Sequence, residues 1–237
     1  MNNKIRFAIL SAVAALGAVS AASVNATTNS AERVAAIAKL PDWSGIWRVN
    51  GSNAYLSGNK NNLPPYNTAW QAKLKAAQKD KGVDTADHFC AIAVPRLLSS
   101  SQPFEVFVTP EETLMYYGSR EVRHIWTDGR DHPPEDERWP MYWAESKGRW
   151  QGQTLIVETI NIHGNLWIDP TGATLSDDAT LVERISMVDK NHLQSEITIT
   201  DPTALTKPWS FKRTYERQVE KELTEQGCVW RAGQAGQ

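Results

Sequence analysis

The stretch LVERISMVDKNHLQSEITIT (181–200) decides the fold. Leu181, Ile185 and Met187 recur at every second or fourth position, and Leu193, Ile197 and Ile199 do so after Asp189-Lys190-Asn191. A period of two, broken by a short polar turn, is the signature of a β-hairpin with one buried face. Working outward, the same pattern recurs in TLIVETI (154–160), which meets GRW (148–150) across Gln151-Gly152-Gln153, and in WSFKRTYER (209–217). Upstream lie FEVFVT (104–109), TLMYYG (113–118) and EVRHIWT (121–127), the last ending at the turn dipeptide Asp128-Gly129. SGIWRV (44–49) and part of MYWAE (141–145) complete about eight strands. Short successive hairpins make neighbours antiparallel. The expected fold is mainly β, an antiparallel up-and-down barrel with short N-terminal helices, or a two-sheet sandwich.

The helices precede the strands. Ser30–Leu40 reads as a short helix with Ser30 placed to cap it. Thr68–Lys79 (TAWQAKLKAAQK) is built from strong helix formers. Asn67 stands at its N-cap and Gly82 at its end, and Trp70, Leu74 and Ala77 are expected to pack on the body. Between the helices, SNAYLSGNKNNLPPYN (52–67) is loop by composition.

At 41% hydrophobic and 22% charged residues the chain is of ordinary globular composition, with length for one domain. A formal charge of −2 gives no basic face for nucleic acid. Residues 1–26 read as a secretory signal peptide: Lys4 and Arg6, an apolar run from Phe7, then Val24-Asn25-Ala26 before the cut. Cleavage after Ala21 is the alternative. The expected divisions are the leader (1–26), a helical and loop segment with the first strand (27–102), the main barrel (103–217) and a tail (218–237). The mature chain has no membrane span, and the expected location is periplasmic or secreted. There, Cys90 and Cys228, the two cysteines present, are expected to form one disulfide. In the chain-entropy view it stabilises by up to about 4–5 kcal/mol.

Parity along the strands singles out charges that share a side with apolar residues. Glu183 projects with Leu181, Ile185 and Met187, and Arg213 with Trp209, Phe211 and Tyr215. Glu158 lies between Ile156 and Ile160. Inward charges cost several kcal/mol unless paired. The economical pairings are Glu183 with Arg213, or Glu158 with Arg123 or Arg213. Such a pair fixes geometry, or an inward Arg receives an anionic or carbonyl group of a ligand and an inward Glu acts as acid or base. The densest polar cluster, EVRHIWTDGRDHP (121–133), holds Arg123, His124, Asp128, Arg130 and His132. His124, Asp128 and His132 lack metal-ligand spacing, so no metal and no cofactor is expected.

Ten tryptophans are unusual for this length. Indoles suit a cavity for a flat apolar or aromatic molecule, and they suit a closed core equally. The leading expectation is therefore a binder of such a molecule, contacted by Trp126, Tyr117, Trp209, Glu158 and Arg213. One alternative is a cofactor-independent lyase, isomerase or hydrolase in which His124 or Glu183 moves a proton and Arg123 stabilises an oxyanion. Another is an envelope protein-interaction module with a tryptophan patch.

Trp43-Ser44-Gly45-Ile46-Trp47 at the start of the β region and an Arg on its last strand resemble lipocalins and other calycins. That resemblance implies an Arg packed against Trp47, with Arg213 as the matching position. The ordered motifs PDWSGIW, GRWQGQTLIVET, LVERI and PWSFKRTYER resemble a broad group of secreted bacterial proteins and imply no particular reaction. Members of that group carry a His shortly before V-E-R. This chain has Ala179-Thr180 there, so chemistry built on that His is not expected.

Overall fold

The computed structural model describes residues 30–79, 93–118, 122–219 and 222–223. Nine strands form a closed barrel in sequence order: β1 (Ile46–Asn50), β2 (Phe104–Val108), β3 (Glu112–Tyr117), β4 (Val122–Trp126), β5 (Glu145–Gln151), β6 (Thr154–Ile160), β7 (Thr180–Asp189), β8 (His192–Thr200) and β9 (Trp209–Arg217). β9 pairs with β1 and closes the ring. Helices α1 (Ser30–Ile37) and α2 (Thr68–Lys79) lie before β2. No helix among the described residues is long and apolar enough to cross a membrane.

The mainly β barrel agrees with the alternation in the sequence, with two corrections. GRW and the end of MYWAE are one strand, β5, and Met141 only makes a bridge to Ile162. The up-and-down pattern also fails once: β4 and β5 are parallel. An odd number of strands cannot close a ring by antiparallel pairs alone, so nine strands require such a seam. The seam is short. Only Ile125↔Ser146 and Trp126↔Lys147 are in register, whereas β5 and β6 pair from Glu145↔Ile160 through Gln151↔Thr154. A parallel pair needs a crossover connection, and residues 127–144 supply it. Asp128-Gly129, expected as a hairpin turn, instead starts this return.

Parity holds inside. Leu181, Glu183 and Ile185 on β7, Leu193, Ser195 and Ile197 on β8, and Phe211, Arg213 and Tyr215 on β9 are all buried. Asn67 caps α2 as expected, its Oδ1 accepting from Trp70 N at 3.0 Å, and Trp70 and Leu74 pack on the core. The predicted leader, Gly82, Cys90 and Cys228 lie outside the described residues.

The arginine against Trp47 is Arg217, not Arg213. Its guanidinium carbon lies 4.4 Å from the Trp47 ring centroid. It donates to Ser44 O, to Asp42 O at 2.8 Å and to Lys190 O at 2.9 Å. Trp47 and Arg217 are Cα partners across the closing β1–β9 pair. Gly45, at φ +93°, leaves room for that side chain, because a Cβ there would stand 3.2 Å from Arg217 Nη1.

Candidate functional site

Two polar regions compete for a functional role, one inside the barrel and one on its wall. Inside, Arg123 and Glu183 are 0% exposed. Arg123 Nη2 donates to Glu183 Oε2 at 2.5 Å, to Thr159 Oγ1 at 3.1 Å and to Ser146 Oγ at 3.3 Å. Ser195 Oγ donates to Glu183 Oε1 at 3.4 Å. Burial works against the charged guanidinium, the adjacent carboxylate favours it, and the balance holds Arg123 above the ordinary arginine value. The partner of Glu183 is thus Arg123, which corrects the expected pairing with Arg213. β4 and β7 present these two side chains to each other across the lumen, a relation that no local pattern encodes.

Arg213, 2% exposed, has no carboxylate partner among the described residues. Its Nη1 donates to Ser52 O at 2.9 Å, while Nε and Nη2 are buried without a hydrogen-bond partner. Burial lowers its pKa below the arginine norm, and Tyr215 only partly offsets this. Gly58 lets the loop lie over it, since a Cβ there would fall 2.2 Å from Nη1. Tyr215, beside it, donates to Leu98 O at 3.0 Å, and burial raises its phenol pKa well above the ordinary 10.0.

The remaining expected site residues divide between lumen and wall. Tyr117 and Trp209 are buried in the core, and Trp209 Nε1 donates to Asn62 Oδ1 at 3.0 Å. Glu158 faces outward and pairs with Arg149 at 3.0 Å and Lys147 at 3.7 Å, so it meets neither Arg123 nor Arg213. His124 also faces outward, its side chain 51% exposed, donating from Nδ1 to Glu112 Oε2 at 2.7 Å. It stacks on Trp126, the ring centroids 5.7 Å apart. His124 therefore stands on the opposite side of β4 from Arg123 and Glu183, and the three do not form one acid–base site.

The wall region follows from the seam. Beyond its two register pairs, the Val122 end of β4 has no partner in β5, and the returning segment stands off from the wall. The space between is a cavity of about 490 Å³ lined by Val122, His124, Trp126, Met141, Trp143, Ala144, Glu145 and Ser146. A second cavity of about 390 Å³ is lined by Trp126, Arg130, Trp139, Met141, Glu145 and Asn161 among others. Trp126, Met141 and Glu145 border both, so the two lie side by side along the seam and together form the seam groove. Each is within the size range of small-molecule sites.

Glu145 is the groove's central carboxylate, its side chain 15% exposed. His132 Nδ1 donates to its Oε1 at 3.0 Å, and Asn161 Nδ2 stands 3.5 Å from its Oε2. Ala144 and Asn161, at φ 52° and 58°, hold left-handed backbone beside it, a strain of the kind that collects at binding sites. Arg130 lies over the Trp126 ring at 3.8 Å while its guanidinium is held by both oxygens of Asp128. Trp139 is 63% exposed. Reading MYWAE as strand hid Met141, Trp143 and Glu145 as groove residues. The signal available was DHPPEDERWP (131–140), too rich in proline and charge to be a strand or a hairpin turn. Among the described residues no cluster of His, Cys, Asp and Glu is arranged to hold a metal ion.

No protein-family model matches the chain, and no curated protein matches it. Among solved structures, the crystal structure of wild-type fluorescent protein UnaG is similar at 12% identity. It covers 74% of this chain and 97% of that one, with a TM-score of 0.33. Crystal structures of two UnaG mutants are 14% identical over 75% of this chain and 97% of theirs, with TM-scores of 0.34 and 0.32.

Proposed function

We propose that the protein binds a small apolar or aromatic molecule in the seam groove, against Trp126, Trp139 and Met141, with Glu145 as the polar anchor. The carrying observation is the pair of adjacent cavities, open to solvent and walled by indoles, on a barrel whose interior side chains are buried. Indole faces offer large apolar area with little conformational entropy to lose, which suits a flat ligand. Export to the periplasm belongs to this proposal on the strength of the sequence leader. The test is titration with the neutral probe N-phenyl-1-naphthylamine, followed by its fluorescence. Saturable binding that weakens at least fivefold in Trp139→Ala is expected. Absence of saturation, or an unchanged affinity in that variant, contradicts the reading.

A second reading has its own observation, the buried and unpaired guanidinium of Arg213. A ligand carrying an anionic group, entering beneath the loop around Ser52–Gly58, would meet the two unused N–H directions. Binding of an aryl carboxylate that is lost in Arg213→Met would favour it over the groove.

A further inference from the structure

We propose that the seam groove selects molecules carrying an organic ammonium group beside their aromatic or apolar body, with Glu145 receiving the cation; this rests on the groove being the ligand site. Of the ionised side chains that line it, Asp131, Glu137 and Glu145 are negative and only Arg130 is positive. Arg130 is already committed. Its Nε and Nη2 reach the Asp128 carboxylate at 3.0 and 2.6 Å. Asp131 has Lys147 at 3.6 Å, but Glu145 has no lysine or arginine within ion-pair distance among the described residues.

The interior supplies the contrast. Glu183, fully buried, holds an arginine at 2.5 Å. Glu145, mostly buried, holds a histidine and an amide. A carboxylate withdrawn from water gains from a permanently charged partner, and the open side of Glu145 is the groove. The surrounding indoles favour the same partner, since the face of an indole attracts cations. Trp126 already carries one at 3.8 Å. An anionic ligand would meet three carboxylates.

The test is competition against N-phenyl-1-naphthylamine by an isosteric pair, benzyltrimethylammonium and neopentylbenzene, with phenylacetate as the anion. The ammonium compound is expected to displace the probe at least tenfold more tightly than its neutral isostere, and phenylacetate to be the weakest. In Glu145→Gln the preference for the ammonium compound over its isostere should fall below twofold. Where that variant does not fold, Glu145→Asp serves, with an intermediate preference expected. Equal affinities for the isosteric pair, or a preference undiminished in the Glu145 variant, overturn the proposal and leave the groove standing. Failure of the naphthylamine itself to bind removes the groove reading.

Discussion

Glu183 and Glu145 are both carboxylates drawn out of water, and the fold treats them in opposite ways. Glu183 sits inside the barrel with Arg123 at 2.5 Å and hydroxyls of Ser146, Thr159 and Ser195 around the pair. Glu145 sits on the wall with a histidine and an amide as partners and an open cavity beside it. Glu183 meets a buried cation, whose Nε and Nη1 lack a hydrogen-bond partner among the described residues; Glu145 has no lysine or arginine beside it among the described residues. The interior carboxylate is thus closed off from solvent, and the wall carboxylate borders an open cavity.

The largest effect should come from breaking the sealed pair. Glu183→Leu leaves a bare guanidinium in the lumen and should cost about 3–5 kcal/mol, while Arg123→Met with Glu183→Leu should recover most of that loss. Urea unfolding followed by tryptophan fluorescence measures both. Equal destabilisation of single and double variants would break the comparison. Next come the two arginines of β9. Arg217→Ala removes the stack on Trp47 and three bonds to carbonyls, a loss of about 2–4 kcal/mol. Arg213→Met removes an unpaired buried charge and should be neutral or stabilising. A large loss in Arg213→Met would mean that its charge is structurally satisfied.

Alkaline pH probes the lumen again. Burial is the largest influence on Tyr215 and on Tyr66, and raises both above the ordinary 10.0. A raised folded-state pKa contributes stability that is full below the unfolded value and lost as pH climbs above it. The melting temperature should therefore fall progressively above pH 10, less steeply in Tyr215→Phe; an identical slope in that variant contradicts the assignment. The smallest effect belongs to the wall. Trp139→Ala should change stability by no more than about 0.5 kcal/mol by thermal melting, although it is expected to weaken probe binding.

Strand parity made the interior legible: Glu183, Arg213, Tyr117 and Trp209 all point where alternation places them. Parity is local, and it could not say which inward arginine meets Glu183, because that depends on which strands face each other across the lumen. The resemblance to calycins placed Arg213 against Trp47, because a motif match does not give strand register. The register of the closing β1–β9 pair, Trp47↔Arg217, links residues from the first and last strands of the sequence. The seam was hidden for a different reason. Asp128-Gly129 has hairpin chemistry, but the parity of nine strands requires one parallel pair, and that count is visible only once the ring closes. The groove follows from the seam, so Glu145 and Met141 gave no signal of their own.

The most direct measurement is a crystal structure of the protein with N-phenyl-1-naphthylamine bound. Its rings are expected between the 127–144 crossover and β4, against Trp126 and Trp139, with Arg123 and Glu183 undisturbed. Electron density for the probe inside the barrel, beside Arg213 beneath the loop around Ser52–Gly58, would contradict this placement.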